Sequence, residues 1–126
     1  MTEKKLTFSA KEHLKSRKEI SRIFTNGIFL YSDFIILKYL PGEHQKMHKL
    51  AVSVPKRLFK SAVIRNKLKR RIRESYRLNK YILYDYSEKS KVFFNFLVIY
   101  KHKEILPYQK IEEHLVILLN KLIEQA

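Results

Sequence analysis

An apolar stripe with helical spacing marks the middle of the chain, in residues 61–80. Its apolar positions recur every four residues and, at about 100° per residue, occupy an arc of about 120° on one side of a helix. They are Ile64, Leu68, Ile72 and Tyr76. Ser61 stands where an N-cap is expected, because its hydroxyl can accept a hydrogen bond from the first turn. We therefore predict a helix after Ser61 with one side packed on a core.

Two further helices are predicted nearer the ends of the chain. Ser16 and Glu19 have the spacing of a capping box and Gly27 provides a stop, so the first helix should run over Arg17–Asn26. Pro107 can open the last helix, whose apolar face would cover a sheet. That face is formed by Ile111, Leu115, Leu118, Leu119 and Leu122.

Strands are predicted where β-branched and aromatic residues concentrate. One strand should run over Phe34–Leu40 and a shorter one over Leu50–Val54. The nearly continuous apolar run Val92–Tyr100 predicts a central strand. The segment Tyr81–Lys91 is polar and rich in tyrosine, and we interpret it as a connection. The order helix, strands, helix, strand, helix predicts an α+β fold in a single domain, residues 1–126.

Positive charge is concentrated on the central helix. The chain has 27 Lys and Arg against 12 Asp and Glu, a net charge of +15, and eleven of these cations lie in residues 56–80. The side of the helix opposite the apolar stripe, which we call the basic face, has Arg65 at its border. A positive field on one element attracts phosphate backbones, and the resulting binding depends on salt. The basic face consists of Asn66, Lys69, Arg70, Arg73 and Arg77.

Two other interpretations of this helix are a solvated charged face without a ligand and an amphipathic helix on a membrane surface. The membrane interpretation fits poorly, because the apolar stripe is short and is needed for the core. Residues 1–5 lead into no apolar stretch typical of a signal peptide, and no apolar run is long enough to span a bilayer. We expect a cytoplasmic protein.

Composition argues against most catalytic and metal sites. The chain has no Cys, which excludes disulfides, thiolate ligands and cysteine nucleophiles. His44 and His48 are four residues apart, but in a polar loop without a third ligand this pair does not favour a metal site. The acids are scattered and the histidines share no motif, so the chain offers no constellation for nuclease chemistry of its own.

The order of residues around the basic helix is more specific than its charge. A basic pair leads through Ala-Val to Arg-Asn-x-x-Lys-Arg-x-x-Arg-Glu, as Lys56-Arg57, Ala62-Val63, Arg65-Asn66, Lys69-Arg70 and Arg73-Glu74. This pattern resembles the signature of the protein component of bacterial ribonuclease P. The resemblance extends over nearly the whole chain, with a Val-Ser-Val strand before the basic loop and an apolar strand that ends at Lys101.

The resemblance implies a fold and an RNA-binding surface. The implied fold is a small two-layer α/β sandwich like a domain of ribosomal protein S5, with a central sheet of about four strands, helices packed on it and a left-handed βαβ crossover. The basic helix and the loop before it would contact the catalytic RNA. The residues that match are Lys56, Arg57, Arg65, Asn66, Lys69, Arg70 and Arg73, and we expect Arg77 of the basic face to join them.

The resemblance also implies a cleft for the single-stranded 5′ leader of precursor tRNA, between the first helix and the sheet. Ile20 stands where an aromatic is common and Lys38 stands near a usual Tyr, so base stacking should be weaker and phosphate contact stronger. Pro55 replaces a residue that is commonly small. Phe24 has a second interpretation as an ordinary core aromatic. The matching positions are Ile20, Phe24, Lys38 and Lys101, with Tyr31 and Tyr39 nearby.

The implied function is that of the protein subunit of ribonuclease P, which assists the hydrolytic removal of the leader from precursor tRNA. The RNA subunit with Mg²⁺ would carry out the chemistry, and the protein would supply no catalytic residue and no metal site. The expected partners are the catalytic RNA and precursor tRNA, without a membrane and without a required stable protein partner. The alternative is a ribosomal or other structural RNA-binding protein on a related fold.

Overall fold

The computed structural model describes residues 7–126, in which four helices and a four-stranded sheet follow a short 3-10 helix, Ala10–Glu12. Residues 1–6, on which the prediction of no signal peptide rests, lie outside the described residues. The helices are α1 (Arg17–Asn26), α2 (Ala62–Asn79), α3 (Tyr81–Ser90) and α4 (Tyr108–Gln125). The strands are β1 (Ile28–Tyr31), β2 (Ile35–Pro41), β3 (Lys49–Ser53) and β4 (Phe94–Tyr100).

The sheet is mixed, with the strand order β1-β2-β4-β3. The pairs β1–β2 and β2–β4 are antiparallel, whereas β3 and β4 are parallel. Parallel strands require a crossover connection, and α2 and α3 provide it. The resemblance implies that this crossover connection is left-handed, and its handedness stays a prediction.

Helices cover both faces of the sheet. The larger core lies under α2, α3 and α4, where alternate residues of β2 such as Leu37 pack with Phe96, Leu68 and Leu115. A smaller core lies on the other face, where Ile23 of α1 packs with Leu97. The sheet and the layer of α2, α3 and α4 form the predicted sandwich, and the α+β class is confirmed.

The predicted central position of the last strand is confirmed by its burial. β4 pairs on both sides, and six of its seven residues are buried. A strand covered on both faces needs apolar residues at nearly every position, which explains the continuous apolar run. The apolar stripes of α2 and α4 are also buried as predicted.

The predicted single strand over Phe34–Leu40 is incomplete, because residues 28–31 form a separate strand, β1. The turn between β1 and β2 contains neither Gly nor Pro, the usual signals of a hairpin. The Ser32 hydroxyl closes it instead, by accepting from the backbone N–H groups of Phe34 and Ile35, both at 3.3 Å.

The interpretation of Tyr81–Lys91 as a connection is wrong, because residues 81–90 form the helix α3. Leu83 and Ser87, one turn apart, are buried, and the Ser87 hydroxyl donates to the carbonyl of Leu83 at 2.9 Å. A polar residue thus holds a core position that a hydrophobic pattern cannot detect. The helix ends at Lys91, which has a left-handed φ of 62°.

Candidate nucleic-acid interface

The basic face is displayed outward because the opposite side of α2 is anchored in the core. Leu68, Ile72 and Tyr76 are fully buried, and Ile64 packs partly against them. The Ser61 hydroxyl accepts from the Ile64 backbone N–H at 3.3 Å, so the predicted N-cap is confirmed. This packing fixes the rotation of the helix about its own axis, and hence the direction of its cations.

Most of the predicted RNA-binding residues lie at the surface and keep their charge available. Lys56, Arg57, Asn66 and Arg70 are exposed, and Lys69 and Arg73 are partly exposed. Within residues 7–126, no carboxylate forms a salt bridge with Lys69, Arg70 or Arg73. Because like charges crowd one side of the helix, a polyanion bound there would relieve their repulsion.

Arg65 has a different position from the rest of the predicted set. Its Nη1 donates to the carbonyl oxygens of Phe59 and Lys60, both at 2.8 Å. Phe59 is itself buried, so this guanidinium group ties the loop 55–60 to the first turn of α2. Arg65 therefore positions the loop that carries Lys56 and Arg57.

Arg77 is paired within its own helix. Its Nε donates to Glu74 Oε2 at 3.0 Å and its Nη2 to Glu74 Oε1 at 2.5 Å, a bidentate geometry. The hydrogen bonds from Arg77 hold the pKa of the Glu74 carboxyl below its usual value. The charge of Arg77 is thus largely offset by Glu74, unlike that of Arg70.

A second surface combines aromatic rings with lysines at the junction of α1 and the sheet. The Nζ of Lys38 lies 4.1 Å from the centroid of the Phe24 ring and donates to the Phe24 carbonyl at 2.9 Å. The Nζ of Lys101 lies 5.2 Å from the ring centroid of Tyr31. Phe24 is 58% exposed and Tyr31 62%, so Phe24 is not an ordinary core residue. The structure brings these four predicted residues together.

Phe29 belongs to the same surface but was not identified from the sequence. Its side chain is 60% exposed, and its ring lies 6.3 Å from that of Tyr31 at an interplanar angle of 28°. Phe29 also stands opposite Lys38 in the β1–β2 pair. The segment Ile-Phe-Leu-Tyr carries no signal for this, because all four residues are apolar or aromatic and yet only Leu30 is buried.

The other two predicted cleft residues have different positions. Ile20 is partly buried in the smaller core beside Leu97, and so borders the surface. Tyr39 is not part of this surface, because adjacent residues of a strand point to opposite faces and Tyr39 lies in the larger core. Its hydroxyl donates to Gln125 Oε1 at 3.3 Å.

A buried polar network holds the C-terminal end of α2 in place. The Nζ of Lys80 donates to both oxygens of Glu12, at 3.0 and 2.9 Å, and Tyr84 donates to Glu12 Oε2 at 2.9 Å. Burial raises the pKa of Glu12, but the hydrogen bonds from Lys80, Ser9 and Tyr84 outweigh it and the net pKa is lowered. This network fixes the end of α2 against the segment before α1.

His48 is the buried member of the histidine pair. Its Nδ1 accepts from the Phe94 backbone N–H at 3.0 Å, and its Nε2 lies 2.8 Å from the Ser87 hydroxyl. Both ring nitrogens are therefore occupied inside the fold. Because the charged imidazolium would be desolvated there, the pKa of His48 falls to about 4. His44 is exposed and has a left-handed φ of 53°.

Residues 7–126 contain no group of three or more His, Asp or Glu that could hold a metal ion. In the same part of the chain, no helix is both long and apolar enough to cross a membrane.

A sequence model of the family described as Ribonuclease P matches residues 8–123. The chain belongs to the ribonuclease P protein family. It is 32% identical over 106 residues to the ribonuclease P protein component of Porphyromonas gingivalis, covering 82% of this chain and 77% of that protein. It is 36% identical over 104 residues to that of Streptococcus agalactiae, covering 82% and 86%.

Solved ribonuclease P proteins share the fold. The protein from Thermotoga maritima has a TM-score of 0.71 at 26% identity, covering 87% of this chain and 96% of that one. The protein from Staphylococcus aureus also has a TM-score of 0.71, at 21% identity, covering 88% and 94%. The resemblance found in the sequence is therefore confirmed, and with it a role in the ribonuclease P ribonucleoprotein and tRNA 5′ processing.

Proposed function

We propose that this ribonuclease P protein binds the catalytic RNA subunit through the basic face of α2 and the adjoining loop 55–60. The observation that carries the proposal is a set of surface cations, Lys69, Arg70 and Arg73, that form no salt bridge with a carboxylate of residues 7–126 and are held outward by the buried side of α2. Arginine suits bidentate contact with phosphate, lysine suits point-charge neutralisation, and Asn66 can hydrogen-bond a sugar or base.

The chemistry of leader removal is assigned to the RNA subunit with Mg²⁺. Two side chains that could act as an acid or a base serve the fold instead: Glu12 is paired with Lys80, and both nitrogens of His48 are hydrogen-bonded. The protein would bring two polyanions together by neutralising their phosphates, and so raise the affinity for substrate and for Mg²⁺ at low concentration. The proposed site of action is the cytoplasm, with no further protein partner required.

The surface formed by Phe24, Phe29, Tyr31, Lys38 and Lys101 is proposed to hold the 5′ leader of precursor tRNA. Exposed rings offer stacking to unpaired bases, and the two lysines lie close enough to contact the adjoining phosphates. Lys38 already covers the ring of Phe24. This contact supports the expectation of weaker stacking and stronger phosphate contact.

Reconstitution tests the proposal. The RNA subunit from the same source is combined with the protein at low Mg²⁺, and leader removal from precursor tRNA is measured. We expect cleavage with the complex and none with the protein alone. The Lys69→Ala/Arg70→Ala double variant should restore much less activity, whereas Lys46→Ala/Lys89→Ala, which removes the same charge elsewhere, should behave like the original protein.

Cleavage by the protein without RNA would contradict the assignment of chemistry. Equal loss of activity in the two double variants would contradict a specific role for α2. Ribosome association at high salt with no effect on precursor tRNA would favour the structural RNA-binding alternative.

Binding of substrates with and without a leader tests the second surface. Tyr31→Ala should weaken binding of a leader-bearing precursor by about tenfold, which corresponds to one lost stacking contact. Binding of mature tRNA should not change. Ile117→Ala, at an apolar residue exposed on α4, serves as the control. Equal weakening of both substrates by Tyr31→Ala would show that the residue does not contact the leader.

A further inference from the structure

The side of α2 that faces α4 forms a pocket of about 510 Å³. The pocket is a shallow depression that is largely open to solvent. The pocket contains two residues, Lys67 and Arg71, that lie outside the basic face. The lining residues are Phe8, Lys67, Arg70, Arg71, Arg73, Glu74, Arg77 and Tyr108.

The pocket carries a strong positive charge. The one acid that lines it within residues 7–126, Glu74, already forms the bidentate pair with Arg77. The remaining charged lining residues are therefore all cations, namely Lys67, Arg70, Arg71 and Arg73. Four such charges around one cavity favour an anionic ligand.

The walls of the pocket are held in place by contacts within the fold. Arg71 Nη1 donates to the carbonyl of Leu106 at 2.6 Å, which joins α2 to the entry of α4. The Tyr108 hydroxyl donates to Glu112 Oε2 at 3.0 Å, and Asn79 donates to the same oxygen at 3.0 Å. These bonds restrain the ring of Tyr108. The pocket therefore needs little rearrangement when a ligand binds.

Phe8 gives the pocket a second aromatic wall. Its ring lies 4.0 Å from that of His13 and packs edge-on against Tyr76 at 5.7 Å. Burial and the hydrogen bond to Glu112 raise the pKa of Tyr108 to about 12, so this ring carries no negative charge that would repel an anion. Aromatic rings beside cations are the chemistry that recognises a base together with its phosphate.

We propose that this pocket binds one unpaired nucleotide of RNA, with its phosphate among the four cations and its base against Tyr108. The inference rests on the proposed function, because it assumes that α2 faces RNA. The pocket is lined by α2 and by Tyr108 of α4, whereas Phe24 belongs to α1 and Lys38 stands beside Leu97 of the smaller core. It is therefore separate from the proposed leader surface.

Small nucleotides test the pocket in the isolated protein. Titrations of AMP, adenosine and inorganic phosphate are followed by NMR of backbone amides at low salt. AMP should bind about tenfold more tightly than either inorganic phosphate or adenosine, with shifts concentrated around Lys67 and Tyr108. Tyr108→Ala should reduce AMP binding to the level of phosphate, while Tyr108→Phe, which keeps the ring, should retain it.

Equal affinities for AMP and phosphate, or shifts elsewhere in the protein, would overturn the proposal. Thermal unfolding of both Tyr108 variants identifies any general loss of folding. If Tyr108→Ala does not fold, Lys67→Ala replaces it, since Lys67 is exposed. That variant should weaken AMP and phosphate binding several-fold, and unchanged binding would refute the pocket.

Photo-crosslinking identifies the source of the nucleotide. A benzophenone amino acid at position 67 is tested with the RNA subunit alone and then with added precursor tRNA, and the same group at position 89 is the control. If position 67 crosslinks to one of the two RNAs more strongly than position 89 does, the bound nucleotide belongs to that RNA. If a complex that still processes precursor tRNA gives crosslinks to neither RNA, this would contradict the inference and leave the proposed function intact. A protein that never binds the RNA subunit would remove the proposed function itself.

Discussion

His48 contributes stability only while its ring is neutral. The folded protein holds its pKa near 4, whereas the unfolded chain has an ordinary value of 6.5. As the pH falls, His48 is therefore protonated in the unfolded state at a higher pH than in the folded state. The free energy of unfolding declines as pH falls from about 6.5 towards 4. Between pH 7 and pH 5 we expect a loss of about 2 kcal/mol from this residue, measured by urea unfolding.

Asn variants at the two histidines isolate this effect. His48→Asn keeps an acceptor for the Phe94 N–H and should flatten the pH dependence. His44→Asn should leave it unchanged, since His44 is exposed and Asn tolerates its left-handed backbone. An unchanged slope in His48→Asn would show that another group titrates.

The positions of the cations could be predicted residue by residue, but their partners could not. Helical periodicity alone places Lys69, Arg70 and Arg73 opposite the apolar stripe. That Arg65 instead binds the carbonyls of Phe59 and Lys60 depends on how the loop 55–60 folds back. The burial of His48 likewise depends on residues 39 and 46 positions further along the chain, which local pattern does not report.

At the scale of elements, the 3-10 helix and α2 are joined by a buried ion pair. The side chains of Lys80 and Glu12 are only 10% and 6% exposed. Removing one partner strands a buried charge, so Glu12→Gln should cost about 3 kcal/mol of unfolding free energy. Glu113→Gln breaks an exposed pair with Lys110 and should cost less than about 0.5 kcal/mol. Similar effects in urea titrations of the two variants would contradict this role for Glu12.

Each cation of the basic face should make its own contribution to the affinity for RNA and to its salt dependence. Arg70→Ala should weaken binding of the RNA subunit and reduce the slope of log affinity against log salt by about one unit, for one lost phosphate contact. Filter binding between low and moderate salt measures both. Lys89→Ala on α3 is the matched control. An unchanged slope in Arg70→Ala would mean that this side chain does not contact phosphate.

The elements that the sequence predicted well are those with strong periodicity and ordinary caps. The bounds of α1 and the start of α2 follow from Ser16 and Ser61, whose hydroxyls accept in the first turns. The strand β1 and the helix α3 escaped prediction because a serine closes the hairpin and another serine fills a core position of α3. In both segments a serine hydroxyl bonds the backbone two to four residues away, and a hydrophobic pattern carries no signal for such a bond.

For the whole molecule, β4 is the element on which the sheet depends, because it joins the β1–β2 hairpin to β3. Phe96 on this strand is fully buried, and Phe96→Ala should destabilise the protein by about 3–5 kcal/mol. Phe29→Ala, at an exposed ring on the edge strand, should cost less than about 1 kcal/mol. Thermal and urea unfolding measure both, and a small loss in Phe96→Ala would contradict the central role of β4.

The place of β4 near the end of the chain also matters during translation. The hairpin, β3 and the whole of α2 are synthesised, and emerge from the ribosome, ahead of the strand that unites them. The nascent chain therefore presents its most cationic segment beside ribosomal RNA while its apolar stripe still has no sheet to cover. We expect early binding of that segment to ribosomal RNA to compete with folding, and productive folding to begin only after residue 100 emerges.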